Sequence, residues 1–335
     1  MATMIVSTTR RLRGQQANFK AEFRQRPSPR CWWCITTISI ILLIKSSIVQ
    51  AEGAYPLGCS GQPSSFYDYE NYSFPPTTKT VEITSPDDYL ILRRLGAGKF
   101  SDVFEAVDVK LHRQLNPITS SKKGSQDAAD DENVATAPVD PRSLVVLKCL
   151  KPVSERKIKR ELLVLEHASK LPNLARLVAV VIPPDYFESR EDKKDRLQPM
   201  PALVLGHAGV DSQWLCHSKT AYLPEHDIKY YLYHLLIALD SLHSKGIMHR
   251  DVKPRNVLIN FRNDQAVSKP LMLIDLGLAD FFLPDSEYNV RVASRHYKSP
   301  ELLLGFENYD YAIDLWGVGC ILAGLLLRRE PIFRG

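Results

Sequence analysis

The sequence predicts an α+β fold of two lobes, in which strands come first and helices follow. The stretch YLILRRLGAGKFSDVFEAVDV, residues 89–109, alternates apolar and polar residues around a glycine turn and predicts a hairpin of two strands. SLVVLKCL, residues 143–150, predicts another strand, and SERKIKRELLVLEHASKL, residues 154–171, has helical apolar spacing with Ser154 as the N-cap. A second, long helix is predicted for LPEHDIKYYLYHLLIALDSLHSKG, residues 223–246, which ends in glycine. Strands followed by helices are typical of an α+β domain.

Length and composition are those of an ordinary globular protein. The 335 residues, 44% hydrophobic and 24% charged, are enough for one large or two small domains with a sizeable core. The net charge of +5 is modest, and much of it comes from the first thirty residues. The rest of the sequence has no basic stripe with interleaved aromatic residues, which argues against a nucleic-acid-binding protein. The six cysteines show no spacing typical of a disulfide framework.

Residues 1–51 are interpreted as a basic leader followed by an apolar targeting segment. The apolar run CWWCITTISIILLI has fourteen residues, whereas a membrane-spanning helix needs about 20. The basic start, the apolar run and the small residues that follow fit a cleavable secretory signal. A signal anchor, a mitochondrial presequence and a misassigned upstream exon are the alternatives. Membrane contact is expected only if residues 31–49 act as an anchor.

The remaining chain divides into an N-terminal segment, residues 52–88, and two lobes, residues 89–207 and 208–335. An insert at about 112–142 is rich in Ser, Asp, Ala and Pro and is expected to be disordered. A second polar stretch begins at Pro183.

The strongest chemical signal is GIMHRDVKPRNVLI, residues 246–259. Its HRD triplet ends in Asp251, Lys253 follows two residues later and Asn256 five residues later, which matches the protein-kinase catalytic loop position by position. Phosphoryl transfer explains these residue types, because a carboxylate orients the substrate hydroxyl, a cation offsets charge on the moving phosphoryl group and an amide oxygen holds a metal ion.

Weaker signals occur in the order that this chemistry requires. Gly96 and Gly98 would let the hairpin backbone pass close over phosphate oxygens. Lys148 lies within an apolar strand, Glu161 follows on the predicted helix, and Asp275 comes after a strand in LIDLGLAD. Taken singly, Lys148 could equally be a solvent-facing edge lysine and Glu161 a solvated helix residue. Their order relative to the HRD loop favours the functional interpretation.

From about Tyr67 to Gly335 the chain resembles the catalytic (alpha) subunit of casein kinase II, in the CMGC group of protein kinases. The stretches KIKRELLVLE, GIMHRDVKP, EYNVRVASR and YDYAIDLWGVGCILA carry this resemblance. It implies a two-lobed protein-kinase fold with a β-rich N-lobe and a mostly helical C-lobe, shortened after the helix around Trp316. It also implies a constitutively active serine/threonine kinase that uses ATP and Mg²⁺ and phosphorylates acidic protein substrates.

The resemblance assigns a role to each candidate site residue. Catalysis is expected from Asp251, Lys253, Lys148 and Glu161, and metal binding from Asn256 and Asp275. ATP is expected to contact Leu95, Gly96, Ala97, Gly98, Lys99, Phe100, Ser101, Val103, Lys148, His207 and Ala208. Acidic substrate residues are expected to meet Arg291, Arg295, Lys298, Arg156 and Lys157, with Glu301 anchoring the activation segment and Tyr67, Tyr69 and Glu70 forming an N-terminal latch.

Three cations on a short segment create a field that favours a carboxylate, which supports the role of Arg291, Arg295 and Lys298. Their alternative role is pairing with carboxylates of the chain itself. The segment lacks the phosphothreonine found in many kinases, so regulation by its phosphorylation is not expected.

The sequence departs from the family in several places. Ser154 and Glu155 replace two lysines at the start of the regulatory helix, which predicts a weaker preference for acids further downstream. Leu276 stands where the family has tryptophan, and a glycine at 206 replaces a hinge glutamate, which leaves the use of GTP open. The polar stretch after Pro183 falls where the regulatory beta subunit docks, so that partnership stays open too.

One alternative function and two locations follow from the sequence. The resemblance implies that the remaining C-lobe helices of the family are missing here, which would leave the apolar helix of residues 316–327 exposed. The chain could therefore instead be a catalytically impaired binding module for substrates or regulatory subunits. The family resemblance predicts the nucleus and cytoplasm, whereas the apolar segment predicts the secretory pathway.

Overall fold

The structure of the chain is a computed structural model that describes residues 62–76, 81–116, 139–186, 200–208, 210–213, 215, 223–259 and 271–334. All of these residues belong to the compact unit Tyr55–Gly335. The leader, most of the predicted insert and most of the polar stretch after Pro183 lie outside the described residues. None of the helices in the described ranges has both the length and the hydrophobicity needed to cross a membrane.

The first lobe is built on a six-stranded sheet. Its strands are β1 (Glu82–Thr84), β2 (Tyr89–Ala97), β3 (Ser101–Asp108), β4 (Leu144–Leu150), β5 (Leu177–Val181) and β6 (Ala202–Gly206). The spatial order is β1-β5-β6-β4-β3-β2, and every pair is antiparallel except β1 with β5. The predicted hairpin is present as β2 and β3. The sheet also includes β1, a strand within residues 52–88, the predicted N-terminal segment.

Along β4, alternate side chains point into the core of this lobe. Val145 and Leu147 are buried in a cluster with Val181 and Val204, and Cys149 packs against the same cluster. Because neighbouring side chains of a strand point to opposite faces, Lys148 points away from this cluster.

The described helices are α1 (Val109–Leu115), α2 (Glu155–Ala168), α3 (Glu225–His243), α4 (Pro300–Leu303) and α5 (Ala312–Leu327). Helix α2 begins after the predicted N-cap Ser154, although the serine side chain makes no capping hydrogen bond. On α3 the buried residues recur at intervals of three and four, as the predicted amphipathic helix requires: Ile228, Tyr231, Leu232, Leu235 and Leu239. Helix α1 occupies the start of the predicted insert, so residues 112–115 are helical where disorder was expected.

Short strands bring two loops of the second lobe together. They are β7 (Val210–Asp211), β8 (Ile247–Met248), β9 (Val257–Ile259), β10 (Met272–Leu273) and β11 (Asp280–Phe281). β9 pairs with β10, and β8 pairs with β11, both antiparallel. The loop of residues 249–256, here called the catalytic loop, and that of residues 274–279, here called the metal loop, are therefore held side by side.

The N-terminal segment packs along α2. The Phe66 ring stacks on the His167 ring with centroids 3.9 Å apart and meets the Phe281 ring edge-on at 5.9 Å. The Tyr72 hydroxyl donates a hydrogen bond to Glu166. Phe66 and Tyr72 were not among the predicted latch residues.

The end of the described chain packs against α5 and against Tyr297. Phe333 stacks on Trp316 with centroids 5.6 Å apart, and the Tyr297 hydroxyl donates to Glu330 at 2.6 Å. Of the large apolar side chains of α5, Leu315 and Leu327 are 39% and 63% exposed, whereas Val318, Ile321 and Leu325 are buried. The apolar face of this helix is therefore exposed only in part.

Candidate active site

Lys148 is buried in the first lobe and contacts two carboxylates. Its Nζ lies 2.7 Å from Glu161 Oε1 on α2 and 2.7 Å from Asp275 Oδ1 in the metal loop. Lys148 and Glu161 are only 8% and 9% exposed. The solvent-facing alternatives for these two residues are therefore excluded.

Charge pairing sets the protonation states of this cluster. Burial opposes the charged form of Lys148, but the attraction of Glu161 and Asp275 and their hydrogen bonds outweigh it and raise the lysine pKa. The positive charge of Lys148 lowers the pKa of Asp275 to about 2, against the opposing effect of burial. At neutral pH the cluster thus holds a lysine cation and an ionised Asp275 carboxylate.

The metal loop has a backbone that few residue types adopt. Asp275 has φ 65° and ψ 72°, in the left-handed region. Gly277 is in close contact with the cluster of Lys148, Glu161 and Asp275. A Cβ added at Gly277 would lie 3.3 Å from Asp275 Oδ1 and 3.3 Å from Glu161 Oε2. Leu276, the position that carries tryptophan in the family resembled, is 1% exposed and belongs to the core.

The catalytic loop is anchored from α5. Both oxygens of the Asp314 carboxylate accept backbone hydrogen bonds, one from His249 N–H and one from Arg250 N–H, each at 2.8 Å. His243 lies 2.9 Å from the same carboxylate. Burial acts to raise the pKa of Asp314, but the hydrogen bonds and the neighbouring histidines outweigh it and lower that pKa.

Asp251 sits at the centre of a hydrogen-bond network. Oδ2 accepts from Lys253 Nζ at 2.6 Å and from Asn256 Nδ2 at 3.1 Å. Oδ1 accepts from both the backbone N–H and the hydroxyl of Ser294, each at 2.9 Å. Lys253 Nζ also donates to the Ser294 hydroxyl at 2.8 Å. The predicted carboxylate, cation and amide are therefore together, and Ser294 joins them.

Asn256 and Asp275 fit the predicted metal site by their chemistry. The Asn256 amide nitrogen donates to Asp251 O at 2.8 Å, which leaves the amide oxygen as its acceptor. The Asn256 backbone oxygen accepts from Ile274 N–H at 2.9 Å, one residue before Asp275. An amide oxygen and a carboxylate are ligands suited to Mg²⁺.

The glycine turn lies at the tip of the β2–β3 hairpin. A Cβ added at Gly96 would meet no atom within 4 Å, so this strand borders open space. Gly98 N–H donates to Ser101 O at 2.8 Å, and Lys151 Nζ donates to Gly98 O at 2.7 Å. Phe100, 43% exposed, lies with its ring centroid 5.1 Å from Lys157 Nζ. The predicted ATP-binding residues of this hairpin are the continuous run 95–101 and Val103.

The hinge after β6 is linked to the hairpin. His207 lies with Nε2 2.8 Å from Glu105 Oε1 on β3, and Arg93 Nε of β2 donates to the same carboxylate at 2.6 Å. Ala208 is buried. The predicted hinge residues His207 and Ala208 thus follow β6, the strand next to β4.

The three cations of the segment 291–298 differ in their surroundings. Arg291 and Arg295 are exposed, and Arg295 immediately follows Ser294. Lys298 Nζ instead donates to the backbone oxygens of Val290 and Val292, and burial lowers its pKa. Lys298 thus fixes the backbone that carries Arg291. Glu301 lies half-buried in the first turn of α4.

The basic residues of α2 contact other parts of the chain. Arg156 lies 2.9 Å from Glu70 Oε1 and 3.3 Å from the Tyr69 hydroxyl, in agreement with two of the predicted latch residues. Arg160 Nη1 lies 3.0 Å from Asp280 Oδ2. The third predicted latch residue, Tyr67, closes the preceding turn through its N–H.

Three residues of the site were not singled out from the sequence. Asp314 had a usable signal, because it is an acid in an otherwise apolar helix and a buried acid needs partners. Asp280 had a similar signal, because it lies between apolar residues in LGLADFFL, residues 276–283. Ser294 had none, because it is a polar residue in a polar stretch and only the fold brings it to Asp251.

The family model described as protein kinase domain matches residues 89–335, well over half of the chain. The match takes in the hairpin, the Lys148 cluster, both loops and the segment 291–298.

Proposed function

The chain belongs to the protein kinase family, and from that premise we propose that it transfers the γ-phosphate of ATP to serine or threonine hydroxyls that acidic residues follow. The proposed type is that of casein kinase II, and the proposed state is active without phosphorylation of the activation segment. The contact between Ser294 and Asp251 is the observation that carries the substrate preference.

Each group has a definite task in this reaction. Asp251 accepts a hydrogen bond from the attacking hydroxyl and orients it, while Lys253 offsets negative charge on the phosphoryl group in transfer. Lys148, held by Glu161, binds the phosphates of ATP, and the open backbone at Gly96 leaves room for them. Asp275 and Asn256 would hold Mg²⁺, which supplies positive charge beside the phosphates.

The acidic preference follows from the position of the exposed cations. Ser294 Oγ lies 2.9 Å from the carboxylate that orients the substrate hydroxyl. Arg295 is the next residue and Arg291 is three residues earlier, on a backbone fixed by Lys298. A substrate whose hydroxyl reaches Asp251 therefore brings its following residue close to these arginines, and a carboxylate there gains charge-assisted hydrogen bonds.

The full chain should be assayed with Mg²⁺ and labelled ATP on three peptides: serine followed by aspartates, serine followed by lysines, and tyrosine followed by aspartates. We expect transfer to the first peptide only, and loss of transfer in Asp251→Asn. Efficient transfer to tyrosine, or equal use of the two serine peptides, would refute the proposed specificity. Absence of transfer from folded protein that binds ATP would favour the binding-module alternative.

Arg291→Ala tests the proposed acid pocket. We expect KM for the acidic peptide to rise about 5- to 20-fold with kcat nearly unchanged, equivalent to roughly 1–2 kcal/mol of lost charged hydrogen bonding. Arg329→Ala is the matched control, because Arg329 is also exposed but lies after α5. Equal effects of the two substitutions would indicate a general charge effect instead of a pocket.

A further inference from the structure

Lys151 follows β4 and contacts the turn of the β2–β3 hairpin through two donors. Its backbone N–H donates to Phe100 O at 2.8 Å, and its Nζ donates to Gly98 O at 2.7 Å. Nζ also lies 3.1 Å from Asp102 Oδ1 on β3, and this carboxylate limits the positions open to the ammonium group. A single residue thus ties the glycine turn to the end of β4, the strand that carries Lys148.

The hydrogen bond to Gly98 O also sets the direction of a backbone donor. The peptide unit between Gly98 and Lys99 is trans. In a trans peptide the C=O and N–H groups point in opposite directions, so Lys99 N–H points away from the Lys151 ammonium group. Among the residues that the structure describes, this N–H has no hydrogen-bond partner. It is a donor that a ligand can use.

Glycine makes this peptide unit easy to turn over. Gly98 has no Cβ and therefore has access to more backbone conformations than other residues. Rotation of the peptide plane would exchange the directions of Gly98 O and Lys99 N–H. A cation bonded to the oxygen stabilises one of these orientations. The Lys151 side chain is 37% exposed, so its ion pair with Asp102 contributes little to global stability and its effect is local to the turn.

We propose that Lys151 is a positioning residue: by holding Gly98 O, it keeps Lys99 N–H turned towards the phosphates of bound ATP. This inference rests on the proposed function and deepens it, because the hairpin is the part of the site assigned to the phosphates. A donor whose direction is fixed before binding has less conformational freedom to lose when the phosphate arrives. Its hydrogen bond is strengthened because the acceptor is charged. Lys151 acts through the turn and not by contact with the reacting atoms.

The test is Lys151→Met in the full chain, which keeps the apolar stem and removes the donor. Calorimetric titration gives the dissociation constants of Mg²⁺–ATP and of adenosine, which has no phosphates. We expect the constant for ATP to rise about 3- to 10-fold, the effect of one lost hydrogen bond, and that for adenosine to stay unchanged. An unchanged affinity for ATP, or an equal loss of affinity for adenosine, would overturn the inference.

The titration separates this inference from the proposed function, because no phosphoryl transfer is needed. A wild-type chain that binds ATP but fails to phosphorylate the peptides would refute the proposed function alone. Urea denaturation of Lys151→Met should give the wild-type midpoint, since the side chain is partly exposed. A lowered midpoint together with weaker binding of both ligands would indicate a merely structural role and overturn the inference.

Arg94→Met is the matched control. Arg94 Nη2 on β2 lies 2.6 Å from the same Asp102 oxygen, but within the described chain it makes no hydrogen bond to Gly98. The substitution removes the same unit of charge from the same hairpin. We expect the ATP dissociation constant to stay within about twofold of wild type, because an exposed charge is screened by solvent. Equal effects of Arg94→Met and Lys151→Met would reveal a general attraction between cations and phosphates and would overturn the inference.

Lys151→Arg provides the conservative replacement, because it retains both the charge and a donor for Gly98 O. Its ATP dissociation constant should lie much closer to that of wild type than to that of Lys151→Met. Binding as weak as in Lys151→Met would show that the donor is not what the turn requires, and the proposed role would be wrong.

Discussion

At the scale of single residues, the ion cluster around Lys148 stays charged over a wide pH range. Asp275 has a pKa lowered from 3.8 to about 2, so its contribution to stability is present above about pH 4 and is lost as the pH falls towards 2. The Lys148 pKa is raised above 10.5, so its contribution is present below that pH and is lost only in stronger alkali. Neither group titrates between these limits.

A pH series on Asp275→Asn tests this conclusion. We expect the difference in unfolding free energy between wild type and variant to be constant from about pH 5 to 9 and to change towards zero below about pH 4. Denaturant titrations at each pH provide the measurement. A difference that varies across the neutral range would show that another titrating group controls the cluster.

The residues found from sequence are those with a local signature. Lys148 stands out as a charge within an apolar strand, and Asp251 and Asn256 stand out by their spacing after the HRD triplet. The partners of Asp280 could not be identified in this way, because Arg160 and Arg250 are distant in sequence. Arg250 meets Asp280 through the pairing of β8 with β11, and Arg160 reaches it from α2. Residue roles that depend on long-range packing could not be predicted from the sequence alone.

At the scale of elements, the N-terminal segment stabilises α2 mainly through aromatic packing. The ion pair between Arg156 and Glu70 is 66% and 63% exposed and contributes only about 0–1 kcal/mol. The Phe66 ring is partly covered by His167 and by Phe281, which follows Asp280 in β11. The aromatic contact therefore links the segment to both α2 and β11.

Phe66→Ala should lower the unfolding free energy by about 1–2 kcal/mol, since stacking and ring burial are lost together. We also expect kcat to fall, because α2 carries Glu161. Phe306→Ala, which removes a ring that is 55% exposed, should have an effect within about 0.5 kcal/mol. Urea denaturation and steady-state kinetics would measure both quantities, and equal stability losses would contradict the assigned contact.

Element types were predicted more successfully than their limits. Apolar periodicity identified β3, β4, α2 and α3, which all bury apolar residues. It also identified β2, although none of the residues of this strand is buried. The strand β1 was missed, since two of its three residues are exposed and its place in the sheet comes from pairing with the distant β5. Helix α1 was placed within a polar insert because a helix of seven residues leaves little periodic signal.

At the scale of the whole molecule, α5 and the catalytic loop approach each other closely at one glycine. A Cβ added at Gly317 would lie 2.7 Å from Val252 O and 2.8 Å from Val252 Cβ. At Gly319, two residues later on the same helix, an added Cβ would meet nothing within 4 Å. A side chain at Gly317 would therefore disturb the packing of α5 on the loop, whereas one at Gly319 would change only the helix propensity of α5.

Gly317→Ala should destabilise the protein by about 1–3 kcal/mol through overpacking and should lower kcat, because Val252 adjoins Asp251. Gly319→Ala should instead be neutral or stabilise by up to about 1 kcal/mol, since alanine is the better helix former. Thermal unfolding of the two variants beside wild type would decide the matter. A destabilised Gly319→Ala together with a normal Gly317→Ala would show that the described contact between α5 and the loop is wrong.

The left-handed backbone at Asp275 bears on how an inactive form of this enzyme should be made. Alanine in that conformation adds about 1–2 kcal/mol of strain, whereas asparagine adopts it readily. An alanine variant would therefore combine a distorted loop with the loss of the proposed metal ligand. Asparagine removes the charge and keeps the shape, which makes Asp275→Asn the better trap for capturing bound substrate proteins.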